Sequence, residues 1–214
     1  MTRWWLVVPG FLVAAPLGAQ DPPGAVRFAR DEEIRLARSA APATVTVSAT
    51  VLVLEGGRFV VGVAGTNGVT CLVNRSQPLS VEPHCYDREG SESILKIEIA
   101  RTELRLAGAT KEAANARVAE GLTDGTYRLP RRPAMSYMLS AAQVLYTEDG
   151  RRVGAWRPHL MIFVPFLTQA DIGQSGTPAG QQVFVDGEGT AEATIIVILP
   201  AFVEVAAAGG AGAP

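Results

Sequence analysis

The sequence predicts an α+β fold in a single domain, with an antiparallel β-meander, two central helices and a second β-rich segment. Three observations lead to this prediction. Apolar residues alternate with polar ones from Thr44, recur with a helical period from Glu92, and form β-rich runs again from Met135. At 214 residues, the chain has the length of one domain that can bury a sizeable core.

The start of the chain has the features of a secretory signal peptide over residues 1–19. A basic residue, Arg3, precedes an apolar stretch and small residues that end at Ala19. The stretch is shorter than the roughly 20 apolar residues that span a bilayer. Gln20 stands where a lipoprotein would have a cysteine. We therefore expect cleavage near Ala19 and a secreted or periplasmic mature chain without a transmembrane span.

The mature chain is predicted to consist of three parts. The single α+β domain covers residues 44–205. Before it, residues 20–43 are expected to be loosely ordered, because they begin with the paired prolines of DPPG, although 31–38 can add a short helical turn. After it, residues 206–214 consist of alanine, glycine and a final proline, a composition that predicts a disordered tail.

Residues 44–74 are predicted to form the β-meander. Valine and alanine alternate with threonine and serine from Thr44 to Val53, as in a strand with one buried face. Glycine-containing turns, GG after Glu55 and NG at Asn67, separate this strand from two further β-rich runs. Because glycine and asparagine accept the positive φ that tight hairpins require, we expect three antiparallel strands.

The middle of the chain is predicted to be helical after a loop. Residues 75–91 are polar and contain two prolines, which indicates a loop. Residues 92–107 place apolar residues at helical spacing, and Gly108 ends the helix. Thr110 can cap a second helix that continues to about Glu120. After it, the β-rich runs HLMIFVPF, QVFVD and TIIVIL predict further strands of the same domain.

The two cysteines, Cys71 and Cys85, are predicted to form a disulfide. Paired cysteines are usual in exported proteins. Closing a loop of about 15 residues stabilises a fold by roughly 3 kcal/mol. The alternative is a reactive thiol at Cys85 with His84 as its base. Neighbouring side chains on extended chain point in opposite directions, which favours the disulfide.

Four residues are candidates for a metal or ligand site. His84 lies in EPHCYD between Glu82 and Asp87, and His159 likewise follows a proline in RPHLMIF. Imidazole and carboxylate groups bind divalent metals, so a divalent metal is the cofactor that such a site would take. The spacing matches no metal motif. The alternative interpretation is structural: each ring satisfies nearby loop carbonyls.

The charge balance excludes a general attraction to polyanions. The chain has 19 basic residues, and Arg3 lies in the signal peptide, so 18 basic residues remain against 21 acidic ones. A mildly acidic chain has no overall field for nucleic acid or anionic lipid. We expect no nucleic-acid partner.

The combination of TNGVTCLVNRS, PHCYD, YMLS and PHLMIFVPF resembles secreted bacterial proteins of uncharacterised function. The resemblance covers most of the mature chain and implies no activity, substrate or cofactor. Three functions therefore stay open. The leading one is a non-catalytic secreted domain that binds a ligand or partner. The others are a metal-dependent enzyme, such as a hydrolase that uses His84 and His159, and an envelope-associated structural protein.

Overall fold

A mixed eight-stranded sheet forms the centre of the computed structural model, which describes residues 25–175 and 180–203. The signal peptide and the C-terminal tail predicted above lie outside the described residues. The strands are β1 Thr50–Glu55, β2 Arg58–Val63, β3 Thr70–Asn74, β4 Glu82–Tyr86, β5 Ala134–Met138, β6 Leu145–Tyr146, β7 Arg152–Gly154, β8 His159–Phe163, β9 Val183–Asp186 and β10 Thr194–Ile198. The helices are α1 Arg30–Arg38, α2 Ala43–Thr46, α3 Arg88–Glu92, α4 Ile94–Leu106 and α5 Lys111–Asp124, with one 3₁₀ turn at Ala170–Ile172.

The strand order in the large sheet is β2-β1-β3-β4-β5-β8-β10-β9. All neighbours are antiparallel except β1 and β3, which are parallel. β6 and β7 form a separate two-stranded ribbon. The large sheet contains strands from before and from after the helices, so the predicted α+β single domain is confirmed.

The strand predicted to begin at Thr44 begins at Thr50 instead. Ala43–Thr46 is the short helix α2, in which the carbonyl oxygen of Pro42 accepts hydrogen bonds from the N–H groups of Val45 and Thr46 at 2.8 and 3.1 Å. The prediction was wrong here because alternating valine and threonine in so short a run also accommodates one helical turn.

The prediction of a three-stranded antiparallel meander is wrong for its third strand. β1 and β2 form the predicted hairpin, but β3 pairs with the other side of β1. The connection between β2 and β3 passes against the start of β1, where a Cβ on Gly65 would lie 2.1 Å from the backbone nitrogen of Thr50. The N–H groups of Thr66 and Asn67 donate to the carbonyl oxygen of Ser48. These contacts direct the chain across the end of β1.

Part of the loop predicted over residues 75–91 is the strand β4. All five residues of Glu82–Tyr86 are buried between β3 and β5. Proline usually lies at the edge of a sheet, since it cannot donate a ladder hydrogen bond, and β4 contains Pro83. Here β5 pairs only with Cys85 and Tyr86, which leaves the chain at Pro83 without a strand partner on that side. The strand was not predicted from the sequence because it begins with a charged residue, Glu82, and contains Pro83.

The helical segment begins earlier and is divided. The helix predicted over 92–107 is confirmed as α4, and a short helix, α3, precedes it; the two meet at Ser93, whose φ of −127° and ψ of −89° separate them. Thr110 caps α5 as predicted, since its Oγ1 accepts the N–H of Ala113 at 3.2 Å. α5 ends at Gly125, whose φ of 82° terminates a helix without strain.

The segment 20–43 was expected to be loosely ordered, but its described part, residues 25–43, is packed on the sheet. α1 lies against β1, β3 and β4. Its Glu33 and Ala37 are 2% and 0% exposed. Arg30–Arg38 is therefore a docked helix, and Glu33 and Ala37 lie on its buried side.

The core has one layer on each face of the sheet. α1 covers the first face, whose buried members include Ala37, Ala40, Val51, Cys71, Val73 and Cys85. α4 and α5 cover part of the second face, with Leu72, Tyr86, Ile94, Ile97, Val118 and Phe163. The predicted disulfide is confirmed: Cys71 and Cys85 pair across β3 and β4 beneath α1.

Among the described residues, no helix has both the length and the apolar character needed to cross a membrane.

Candidate functional site

A pocket of about 440 Å³ opens on the sheet face that carries α4. Its polar lining consists of Asn74, Ser76, Glu82, His84, Tyr86, Glu98, Trp156, Arg157, His159, Gln181 and Asp186. Its apolar lining consists of Ile94, Met138, Met161, Phe163, Phe184, Ile196 and Ile198. This volume lies in the range of small-molecule sites, which typically enclose about 300–1,000 Å³.

The period of the strands explains how the sequence builds this lining. Alternate residues of a strand point to the same face of a sheet. On β4 this places Glu82, His84 and Tyr86 in the pocket, whereas Cys85 faces α1 in the disulfide. On β8 the same rule brings His159 into the pocket together with its alternate neighbours.

Three of the four candidate residues line the pocket, and the fourth does not. Glu82, His84 and His159 belong to the lining. Asp87 instead caps α3, where its Oδ1 accepts the N–H of Gly90 at 2.7 Å. The acidic residue after EPHCY is therefore a helix cap.

His84 is held by side chains on both sides of its ring. Its Nε2 lies 2.8 Å from the Oγ of Ser136, and its Nδ1 lies 3.2 Å from the hydroxyl of Tyr86. Burial, and secondarily the nearby His159, lower the pKa of His84 to about 3. The ring is neutral at pH 7. Its partners are strand side chains and not the loop carbonyls that the structural interpretation of the sequence suggested.

His159 presents one ring nitrogen to the pocket. Its Nδ1 donates to the carbonyl oxygen of Arg157 at 2.6 Å, because a carbonyl oxygen can only accept. Burial lowers the pKa of His159, although the bond to Arg157 and the charge of Asp186 oppose this effect. The neutral ring therefore carries its proton on Nδ1 and has Nε2 as an acceptor. Nε2 has no hydrogen-bond partner among the residues that the structure describes.

Glu82 is a buried carboxyl group at the start of β4. It is 5% exposed, and its Oε1 accepts hydrogen bonds from the N–H and the Oγ of Ser76. Burial raises the pKa of Glu82, which the bonds from Ser76 partly offset and the charge of Glu98 reinforces. Within 25–175 and 180–203, no arginine or lysine forms an ion pair with this carboxyl group.

The second carboxyl group of the pocket, Glu98, was not singled out in the sequence. It projects from α4 and pairs with Arg101, which also binds both carboxylate oxygens of Glu192 at 2.8 and 3.0 Å. Burial raises the pKa of Glu98, and the charge of Arg101 opposes the rise. The spacing in the sequence did indicate its position, because Glu98 is four residues after Ile94 and therefore lies on the face of the helix that packs on the sheet.

The histidines are poorly arranged to share a metal ion. β5 separates β4 from β8, so the backbones at His84 and His159 are roughly 10 Å apart, two strand spacings. Both ring nitrogens of His84 are already engaged. In the described part of the chain, no group of three or more His, Cys, Asp or Glu residues is placed to hold a metal ion.

We expect His84→Ala to lower the free energy of unfolding by about 2 kcal/mol or more, because it leaves the buried hydroxyls of Ser136 and Tyr86 without their partner. His159→Ala is the matched comparison. It removes one hydrogen bond at the pocket wall and should lower stability by about 0.5–1.5 kcal/mol. Urea unfolding followed by circular dichroism measures both values. A loss below about 1 kcal/mol for His84→Ala would contradict its structural role.

A second depression, of about 520 Å³, lies between the β1–β2 turn and the helices α4 and α5. Its Glu103 already accepts the N–H of Phe59 at 2.9 Å. Its Arg117 pairs with Glu120 on the helix surface. These side chains have partners within the protein, so the pocket on the sheet is the better candidate site.

Comparison of the chain with protein-family models, with curated proteins and with solved structures finds no match.

Proposed function

We propose that this protein is a non-catalytic binding protein whose pocket on the sheet holds a small, mostly apolar ligand. One observation carries the proposal: half-buried apolar side chains and neutral buried histidines share a single pocket of about 440 Å³. Ligand sites commonly combine a largely apolar wall with a few polar groups that orient the ligand.

The apolar wall supports the proposal through its incomplete burial. Met161, Phe184 and Ile198 line the pocket and are only half-buried, so they retain surface that a ligand can cover. Removing apolar surface from water contributes roughly 25 cal/mol per Å². Trp156 also lines the pocket, and it is 51% exposed, so its flat ring is accessible to a ligand.

A metal-dependent hydrolase receives less support from the same pocket. His84 would have to release Ser136 or Tyr86 before the nitrogen on that side could bind a metal or accept a proton. Its low pKa also makes it a weak base at neutral pH. These contacts favour a structural role for His84 in the pocket wall over a catalytic role.

The proposed binding is tested by titration with Nile red, a neutral apolar dye whose emission rises in apolar surroundings. We expect saturable binding by the full chain. Ile198→Trp should reduce the affinity at least tenfold, because the larger ring fills the pocket. Val197→Trp is the matched control, since it places the same side chain on the opposite face of β10. Equal affinities for the two variants, with melting temperatures unchanged, would reject this pocket as the site.

We also propose that the protein acts outside the cytoplasm. The disulfide is compatible with an oxidising compartment, where such bonds persist. Fractionation of a cell that expresses the full chain tests the proposal. Recovery of the protein in the periplasm or medium supports it, and retention of unprocessed chain in the cytoplasm contradicts it.

A further inference from the structure

We infer that the ligand carries an ammonium group at one end of its apolar body, and that Glu82 and His159 receive this group. The inference rests on the proposed binding function and adds the chemical class of the ligand. It follows from the hydrogen-bonding capacity that the pocket leaves unused.

The first argument is that the unused polar groups accept hydrogen bonds and do not donate them. His159 has its proton on Nδ1, in the bond to Arg157, so Nε2 offers a lone pair to the pocket. His159 is 5% exposed, and within the described ranges Nε2 has no partner. An ionised Glu82 likewise accepts only. A ligand group that satisfies both must supply N–H or O–H donors.

The second argument is the imbalance of charge around Glu82. This carboxyl group is 5% exposed and receives hydrogen bonds from Ser76 and from the side chain of Trp156 but no ion pair from the described residues. Burying an ionised carboxylate without a cation is unfavourable. Glu98, by contrast, already has Arg101. A cationic ligand would supply the charge that Glu82 lacks.

The third argument excludes an anionic head group. Among the described lining residues, Arg157 is the one arginine or lysine, and its side chain is exposed to solvent. Arg101 nearby is already shared between Glu98 and Glu192. A carboxylate or phosphate in the pocket would therefore meet the acidic groups first.

The aromatic residues of the lining complete the argument. Tyr86, Trp156, Phe163 and Phe184 contribute rings, and a cation is attracted to the face of an aromatic ring. The apolar side chains beside them suit an alkyl or aryl body. An ammonium group is compact and has only donors, so it suits acceptors such as the carboxylate of Glu82 and the Nε2 of His159, which line the same pocket.

The test uses three competitors with the same alkyl chain: hexylamine, hexanol and hexanoate. Each compound is titrated into the complex of Nile red with the full-length protein at neutral pH, and the displacement of the dye is measured. We expect hexylamine to bind at least tenfold more tightly than hexanol, and hexanoate to bind most weakly. Glu82→Gln keeps the shape of the side chain and removes its charge, so it should bring hexylamine to the affinity of hexanol. Asp87→Asn is the matched control, because asparagine also caps helices and the residue lies outside the pocket.

The pH dependence provides a second readout. Burial raises the pKa of Glu82, so this group ionises as the pH rises above the ordinary range of glutamate near 4.5. Hexylamine, with an ammonium pKa of about 10, stays charged throughout. Its affinity should rise over this window while that of hexanol stays constant. Other titratable or charged groups that face the pocket are Glu98 on α4, His84 and Tyr86 on β4, Arg157 and His159 at β8, and Asp186 on β9.

The outcomes separate the two proposals. Equal binding of hexylamine and hexanol, with Nile red still excluded by Ile198→Trp, overturns the ammonium inference and leaves the binding function in place. Preferential binding of hexanoate overturns it as well. Failure of Nile red to bind the wild-type protein rejects the binding function itself. If Glu82→Gln does not fold, the competitor series and its pH dependence in the wild-type protein still decide the inference.

Discussion

Replacing Glu33 with alanine should lower the free energy of unfolding by about 3–5 kcal/mol, because it leaves a buried guanidinium group without its carboxylate. The Oε1 of Glu33 lies 3.0 Å from the Nη2 of Arg75, and the two side chains are 3% and 0% exposed. Arg75 also donates to the carbonyl oxygens of Val73 and Val26. The pair joins α1 to β3, so its loss should loosen the helix from the sheet.

Glu32→Ala is the matched control on the same helix. Glu32 pairs with Arg35 at 3.8 Å on the surface, and its removal should change stability by no more than about 0.5 kcal/mol. The double variant Glu33→Met, Arg75→Met should recover part of the loss, since apolar groups can replace a buried ion pair. Chemical denaturation measures all three variants. Equal losses for Glu33→Ala and Glu32→Ala would mean that α1 is not anchored by this pair.

Removing the disulfide should lower the free energy of unfolding by about 3 kcal/mol without abolishing the fold. Cys71 and Cys85 are 14 residues apart, and closing a loop of that length restricts the unfolded chain by roughly this amount. The fold should persist because the core on both sheet faces includes many residues besides the cysteines. Urea unfolding with and without a reductant measures the difference.

The control is the double variant Cys71→Ala, Cys85→Ala. Its unfolding curve should be independent of the reductant and should resemble that of the reduced wild-type protein. Two reactive thiols in denatured, unreduced protein purified from an exporting host would contradict the bond. A reductant effect that also appears in the double variant would show that the measured loss arises elsewhere.

Some residues of the candidate site could be predicted from the sequence, but their hydrogen-bond partners could not. His84 and His159 were predicted as site candidates because each follows a proline, and His84 also lies between two acidic residues. Both line one pocket. Contacts with Ser136 and Tyr86 engage both nitrogens of His84, and the carbonyl group at position 157 engages one nitrogen of His159. The partner Ser136 is 52 residues from His84. No local pattern encodes such a contact.

Features that depend on near neighbours in the chain could be predicted from residue patterns alone. The turn at Gly56 and Gly57, the cap at Thr110 and the strand β10 follow from backbone preferences and from the period of apolar residues. The disulfide followed from the cysteine count together with the predicted export. Each of these involves interactions within a few residues or a pairing with no alternative partner.

Features that depend on which distant segments of the chain meet could not be predicted from residue patterns. β3 pairs with the far side of β1 because the connection through Gly65 crosses the end of that strand. β4 is a strand although it contains proline, because β3 and β5 enclose it. Glu98 joins Glu82 in the pocket because α4 packs on β2 and β3, beside the strand that carries Glu82. Local propensity is weak compared with the burial of apolar surface between such segments, and that burial is a property of the whole fold.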